Sequence, residues 1–192
     1  MCLQWWKRLY NVGESVVIVV DESLSMMKTD FKPRRIDVVR ESLKPFVKNL
    51  LEREIHTLLG IVGFYKIAYP LSYLVDDQDT LMEIVNNIKI RGEASASGDA
   101  LNLSSMILLS TSPPGYRKRI ILITDDTSNT GIPLSLMAMP LKTSGIRVDV
   151  IGIGKLTRKA QEDLELVSSS TGGELFNARR KEDLLPMLYR LL

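Results

Sequence analysis

The chain has 192 residues, 45% hydrophobic and 25% charged, with a net charge of +2, values that fit one well-buried domain and exclude a disordered or strongly polyanion-seeking chain. Cys2 is the only cysteine, so neither an internal disulfide nor a thiolate metal site can form, and a reducing, cytoplasmic setting is expected. No run approaches the roughly 18 apolar residues of a membrane span.

Residues 1–14 are expected to form an aromatic arm. Trp5, Trp6, Leu9 and Tyr10 surround Lys7 and Arg8, which is not the ordered charge and apolar pattern of a signal peptide. Such a segment suits an arm docked on the domain, a partner contact or a membrane-surface contact. The domain itself is expected over 15–192.

Val16 to Val20 is apolar at every position and ends in Asp21, the pattern of a strand buried on both faces. Arg35 to Glu54 carries apolar residues at helical spacing, with Pro45 expected to kink or split the helix. Thr57–Phe64 and Ala68–Val75, separated by three residues, suit a hairpin. Asp76 to Lys89 starts acidic and continues as a short helix. A polar loop over Arg91 to Gly98 precedes a helix over Ala100 to Leu109, stopped at Ser112-Pro113-Pro114-Gly115. Arg119 to Thr124 is a second buried strand, ending before Asp125. Next come a helix over Leu134 to Ser144 interrupted by Pro140, a strand over Arg147 to Ile153, a helix over Thr157 to Ser168, a strand over Gly173 to Asn177 and a helix over Lys181 to Leu192. The alternation predicts an α/β fold: a doubly wound, mostly parallel six-stranded sheet with one antiparallel edge strand and helices on both faces.

Ligand sites of open α/β sheets form outside the carboxyl ends of the strands. Asp21 and Asp125 can meet there, and Asp21-x-Ser23-x-Ser25 places three oxygen side chains at alternating positions of an extended loop. An all-oxygen group suits a hard divalent cation. Turn formation and helix capping are the plain alternative for Asp21, Ser23 and Ser25.

At this point the sequence resembles the von Willebrand factor type A domain with its metal-ion-dependent adhesion site. The resemblance runs from about Ser15 to Leu192, through Gly60-Ile61-Val62-Gly63-Phe64, Ser95-Ala96-Ser97-Gly98-Asp99, Ile123-Thr124-Asp125 and Val148-Asp149-Val150-Ile151-Gly152-Ile153-Gly154. It implies a vWA/Rossmann-like fold and an Mg²⁺ or Mn²⁺ ion held by Asp21, Ser23, Ser25, Ser95 and Asp125. Ser95 stands where the family usually has Thr, with Ser97 the competing assignment. Asp126 stands where Gly is common and is expected to face solvent. The partner implied is a protein presenting Asp or Glu, with a MoxR-type AAA+ ATPase as one candidate. Nucleic acid and membrane are not expected partners.

Other residues are read plainly. Lys28, Lys32, Arg34 and Arg35 are a solvated face or a basic rim steering an acidic partner. Asp99 and Asn102 are expected as cap or surface positions, and Asn102-Leu103-Ser104 as an accidental glycosylation match. Gly152-Ile153-Gly154-Lys155 lacks the spacing of a phosphate loop. Enzyme chemistry is not expected. His56, the only histidine, precedes a strand and so falls at the wrong pole, and a phosphohydrolase of the haloacid dehalogenase type needs an Asp where Ser23 stands. A metal-independent scaffold, docking through the arm or a sheet edge, is the remaining alternative.

Overall fold

The computed structural model describes residues 13–53 and 55–192. The expectation for the aromatic arm therefore lies, through residue 12, outside the described residues. Six strands form one sheet in the order β3-β2-β1-β4-β5-β6: β1 Glu14–Asp21, β2 Thr57–Phe64, β3 Ala68–Val75, β4 Arg117–Thr124, β5 Ile146–Ile153 and β6 Leu175–Ala178. All pairings are parallel except β2 with β3, which closes one edge as an antiparallel hairpin. Pro70 sits in that edge strand, where no further strand requires its missing N–H.

Side chains of β1 alternate between two cores. Val16, Ile18 and Val20 face a layer built by α1 Arg35–Leu51, α2 Gln78–Asn86 and α6 Lys181–Tyr189. Val17 and Val19 face α3 Ser97–Thr111, α4 Ala138–Thr143 and α5 Arg158–Ser170. Every residue of β1 is buried, so the two-sided burial read from the sequence holds and the sheet is a middle layer.

The expected break at Pro45 and the expected interruption at Pro140 need correction. Pro45 neither splits nor ends α1, which runs unbroken from Arg35 to Leu51. The lost bond would have gone to Glu41, an exposed residue whose carbonyl water can serve. Leu43, Phe46, Val47 and Leu50, all fully buried, hold the helix against the sheet. The Leu134–Ser144 segment does break, but at the junction of a 3₁₀ turn over Leu134–Met137 with α4 rather than at Pro140, which lies in the first turn of α4 and there loses no helical bond. The helix expected from Ala100 begins earlier, at Ser97. The reason is Gly98: a Cβ there would lie 2.0 Å from the Ile132 carbonyl oxygen, so only glycine lets the first turn pack against that loop.

Candidate metal centre

The parallel register of β1 and β4, with Val20 opposite Ile123, brings their acidic ends side by side. Asp21 is fully buried. Its Oδ1 accepts the Ser23 N–H at 2.9 Å and its Oδ2 accepts the Thr124 hydroxyl at 2.6 Å. The Ser23 and Ser25 hydroxyls lie 2.8 Å apart, and Ser25 donates to Asp125 Oδ1 at 2.6 Å. The alternating side chains of the loop thus turn to one point, as their spacing predicts. No side-chain cap bond links Ser23 to the 3₁₀ turn that follows it.

Ser95 arrives from the middle loop. Ala94 before it has φ +68, a left-handed backbone that costs a non-glycine residue about 1 kcal/mol or more. Asn129 fixes the turn from both sides, its Oδ1 accepting the Ser95 N–H at 2.8 Å and its own N–H donating to the Ser95 carbonyl at 2.9 Å. The Ser95 hydroxyl is buried and has no partner among the described residues. It lines a cavity of about 150 Å³ together with Ser23, Ser25, Glu93 and Asp126. Ser97 is turned elsewhere. Its hydroxyl lies 2.9 Å from that of Ser128, which also accepts the Gly98 N–H at 2.8 Å.

The two loops are tied to each other by Glu22. Its carbonyl accepts the Arg91 N–H at 2.9 Å, and its fully buried carboxylate pairs with Arg91 at 3.1 Å and accepts the Lys89 N–H at 3.2 Å. Gly63 leaves the space this needs, because a Cβ there would sit 2.8 Å from the Glu22 carboxylate.

Several expectations change here. Asp126 is partly exposed and lines the open cavity, with Oδ1 accepting the Thr127 N–H at 2.8 Å. Asp99 is not a cap; its Oδ1 accepts the Ile132 N–H at 3.2 Å and pins the following loop. Arg35 is not part of a steering rim. It is 4% exposed and ion-paired with both Asp30 and Asp125, while Arg34 is taken up by Asp37 at 2.6 Å. Gly154, at φ +78, leaves room for the Arg35 guanidinium, from which an added Cβ would be 2.3 Å. That packing, not a phosphate cradle, accounts for the glycine. Lys28 does remain at the rim, 60% exposed and 3.8 Å from Asp125. His56 lies at the other pole, bonded to Tyr116 at 2.7 Å.

Electrostatics at the rim centre on Asp21. Burial pushes the Asp21 carboxyl up to about 7, against the opposing effect of hydrogen bonds from Ser23 and Thr124, and the nearby Asp125 adds to the rise. Among the described residues no three His, Cys, Asp or Glu side chains cluster as a metal site, so a cation would depend on the hydroxyls. The all-oxygen donor set, the unpartnered Ser95 hydroxyl and the uncompensated Asp21 fit a hard divalent ion. Asn129 and Glu22 are not singled out from the sequence, Arg35 is read only as part of a basic face, and Thr124 only as part of the strand end. Only Thr124, directly before Asp125 at a strand end, carried a usable signal.

Fold and rim together define a doubly wound α/β domain with its polar site at the strand carboxyl ends. The chain belongs to the von Willebrand factor type A domain family, whose model matches residues 15–189. It is 27% identical over 205 residues to a UPF0353 protein of Nocardia farcinica, covering 88% of this chain and 59% of that protein, so the chain spans well under two thirds of that relative. BatB from Bacteroides thetaiotaomicron has the same fold, with TM-score 0.75 at 19% identity over 93% of this chain and 98% of that one. Proximal thread matrix protein 1 of the mussel byssus, solved with a zinc-occupied metal-ion-dependent adhesion site, matches with TM-score 0.77 at 20% identity over 94% of this chain and 47% of that one. Domains of this family typically mediate protein–protein interactions. Among the described residues no helix is long and apolar enough to cross a membrane.

Proposed function

We propose that the domain is a metal-dependent protein-recognition module. Asp21, Ser23, Ser25 and Ser95 would hold Mg²⁺ or Mn²⁺, with Asp125 acting mainly through water because Arg35 and Ser25 already occupy its oxygens. The ion supplies an electrophilic position for an Asp or Glu of a partner protein. The protein's own residues orient the hydroxyls, neutralise Asp125 and tie the two ligand loops together. The carrying observation is the buried, unpartnered hydroxyl of Ser95, a residue that lines the same cavity as Ser23 and Ser25. A buried hydroxyl without a partner costs about 1–3 kcal/mol, and a cation would answer it.

The module binds rather than catalyses, because no imidazole stands near the rim and Ser23 takes the place of an acid/base. Zinc in the mussel protein supports a divalent ion at this position of the fold. A MoxR-type AAA+ ATPase in the cytoplasm is a partner suggested by family resemblance. Paramagnetic resonance during titration with Mn²⁺ tests the site: the free-ion signal is expected to fall in the wild-type chain and to persist with Asp21→Ala. Equal free Mn²⁺ in the two would overturn the proposal.

A further inference from the structure

The pole opposite the oxygen-lined rim has the reverse chemistry. A cleft of about 720 Å³ opens there, lined by Arg53, Arg117, Lys118, Arg119, Arg147 and Arg190. Part of this charge is answered locally. Arg53 pairs with Glu14 at 2.6 Å, Arg119 with Asp149 at 2.6 Å, and Arg147 with Asp149 at 2.8 Å and Glu174 at 3.7 Å. The Leu191 carbonyl takes a further N–H from Arg119 at 2.6 Å, and that of Leu192 one from Arg53 at 2.5 Å.

The rest is unanswered. Among the described residues Arg117, Lys118 and Arg190 form no ion pair, and the Nε of Arg53 is buried without an acceptor. Arg190 lies over the Phe176 ring at 4.8 Å, which positions the guanidinium without neutralising it. Three unpaired cations around one concavity concentrate a positive field that draws anions. The small net charge of the whole chain does not reveal this local excess.

We propose that this cleft binds a phosphate-bearing anion. Guanidinium forks match the paired oxygens of a phosphate. The volume exceeds what a single carboxylate fills, so a di- or triphosphate or the headgroups of an anionic lipid surface supply suitable chemistry. Glu14, at the start of β1, lines the cleft. A lipid source would run against the expectation that a membrane is no partner.

The test titrates the full chain calorimetrically with sodium pyrophosphate in metal-free buffer, and in parallel sediments it with phosphatidylcholine vesicles with and without about 30% phosphatidylglycerol. Binding of either probe is expected to weaken by about tenfold or more with R117E/R190E and to persist with Asp21→Ala at the far pole. Pyrophosphate binding alone identifies a soluble phosphate, and vesicle binding alone a lipid headgroup. Both charge-reversed residues are exposed, and R117Q/R190Q replaces that variant should its thermal transition be lost. Failure of both probes to bind the wild-type chain, or equal binding by wild type and variant, overturns the proposal.

Discussion

Arg35 and Asp125 form an ion pair across ninety positions of sequence, with side chains only 5% and 2% exposed. The first residue of α1 thereby braces the loop that follows β4. Removing one member of a buried pair leaves the other charge uncompensated, at a cost of about 3–5 kcal/mol. Arg35→Met should therefore lower stability by roughly that amount in urea denaturation without metal. Mg²⁺ should restore part of the loss by supplying Asp125 with another cation. A variant as stable as the wild-type chain in chelator would remove Arg35 from this role.

Asp21→Asn separates binding from folding. The amide preserves the acceptor for the Ser23 N–H but carries no charge, so Mn²⁺ affinity should fall by at least about a hundredfold, roughly 2.7 kcal/mol. Metal-free stability at pH 8 should be unchanged or higher, because no buried charge remains to be desolvated. Isothermal titration and thermal melting of one preparation read both quantities.

The pH dependence of stability follows from the same residue. The folded chain holds the Asp21 proton up to about pH 7, whereas the unfolded chain releases it near the ordinary carboxyl value. The folded state thus binds more protons across that interval, and this contribution to stability declines as pH rises from about 4 to about 7. Asp149 has the opposite sign. Burial raises its carboxyl, but Arg147 and Arg119 more than offset this and leave it below the usual range. Its stabilisation is present above the unfolded value and lost in stronger acid. Since metal needs the Asp21 carboxylate, the rise in melting temperature given by Mg²⁺ should be larger at pH 8 than at pH 5.5; equal increments would contradict the assignment.

The two middle-loop serines should behave oppositely. Ser95→Ala removes a hydroxyl with no partner, so metal-free stability should hold while Mn²⁺ affinity drops by about tenfold. Ser97→Ala breaks the contact with Ser128 and should cost about 1 kcal/mol with metal affinity intact. Reversal of the two phenotypes would place Ser97 at the ion.

Much of this could be read from residue order because burial leaves a simple trace. Apolar runs ending in Asp21 and Asp125 mark strands covered on both faces, and ligand positions in such sheets follow from topology. What sequence order conceals is direction. Nothing in Lys32-Pro33-Arg34-Arg35 tells that Arg34 stays on its own helix with Asp37 while Arg35 turns inward to Asp125. Ser95 and Ser97 are likewise equivalent as text, and only the left-handed turn at Ala94 and the approach of Ser128 separate them. A split at Pro45 does not occur, because the local backbone penalty is outweighed by the buried Phe46 and Val47 beside it.

Strand β1 begins at Glu14 in the basic cleft and ends at Asp21 on the oxygen-lined rim. Seven residue steps of about 3.3 Å put the two ends roughly 23 Å apart, joined by a fully buried rod that cannot bend without opening both cores. Occupants of the two poles would not compete for space, and each would be held at a fixed distance from the other. With both poles occupied as proposed, the domain would act as a rigid spacer with unlike ends, keeping a partner protein at the rim apart from an anion in the cleft.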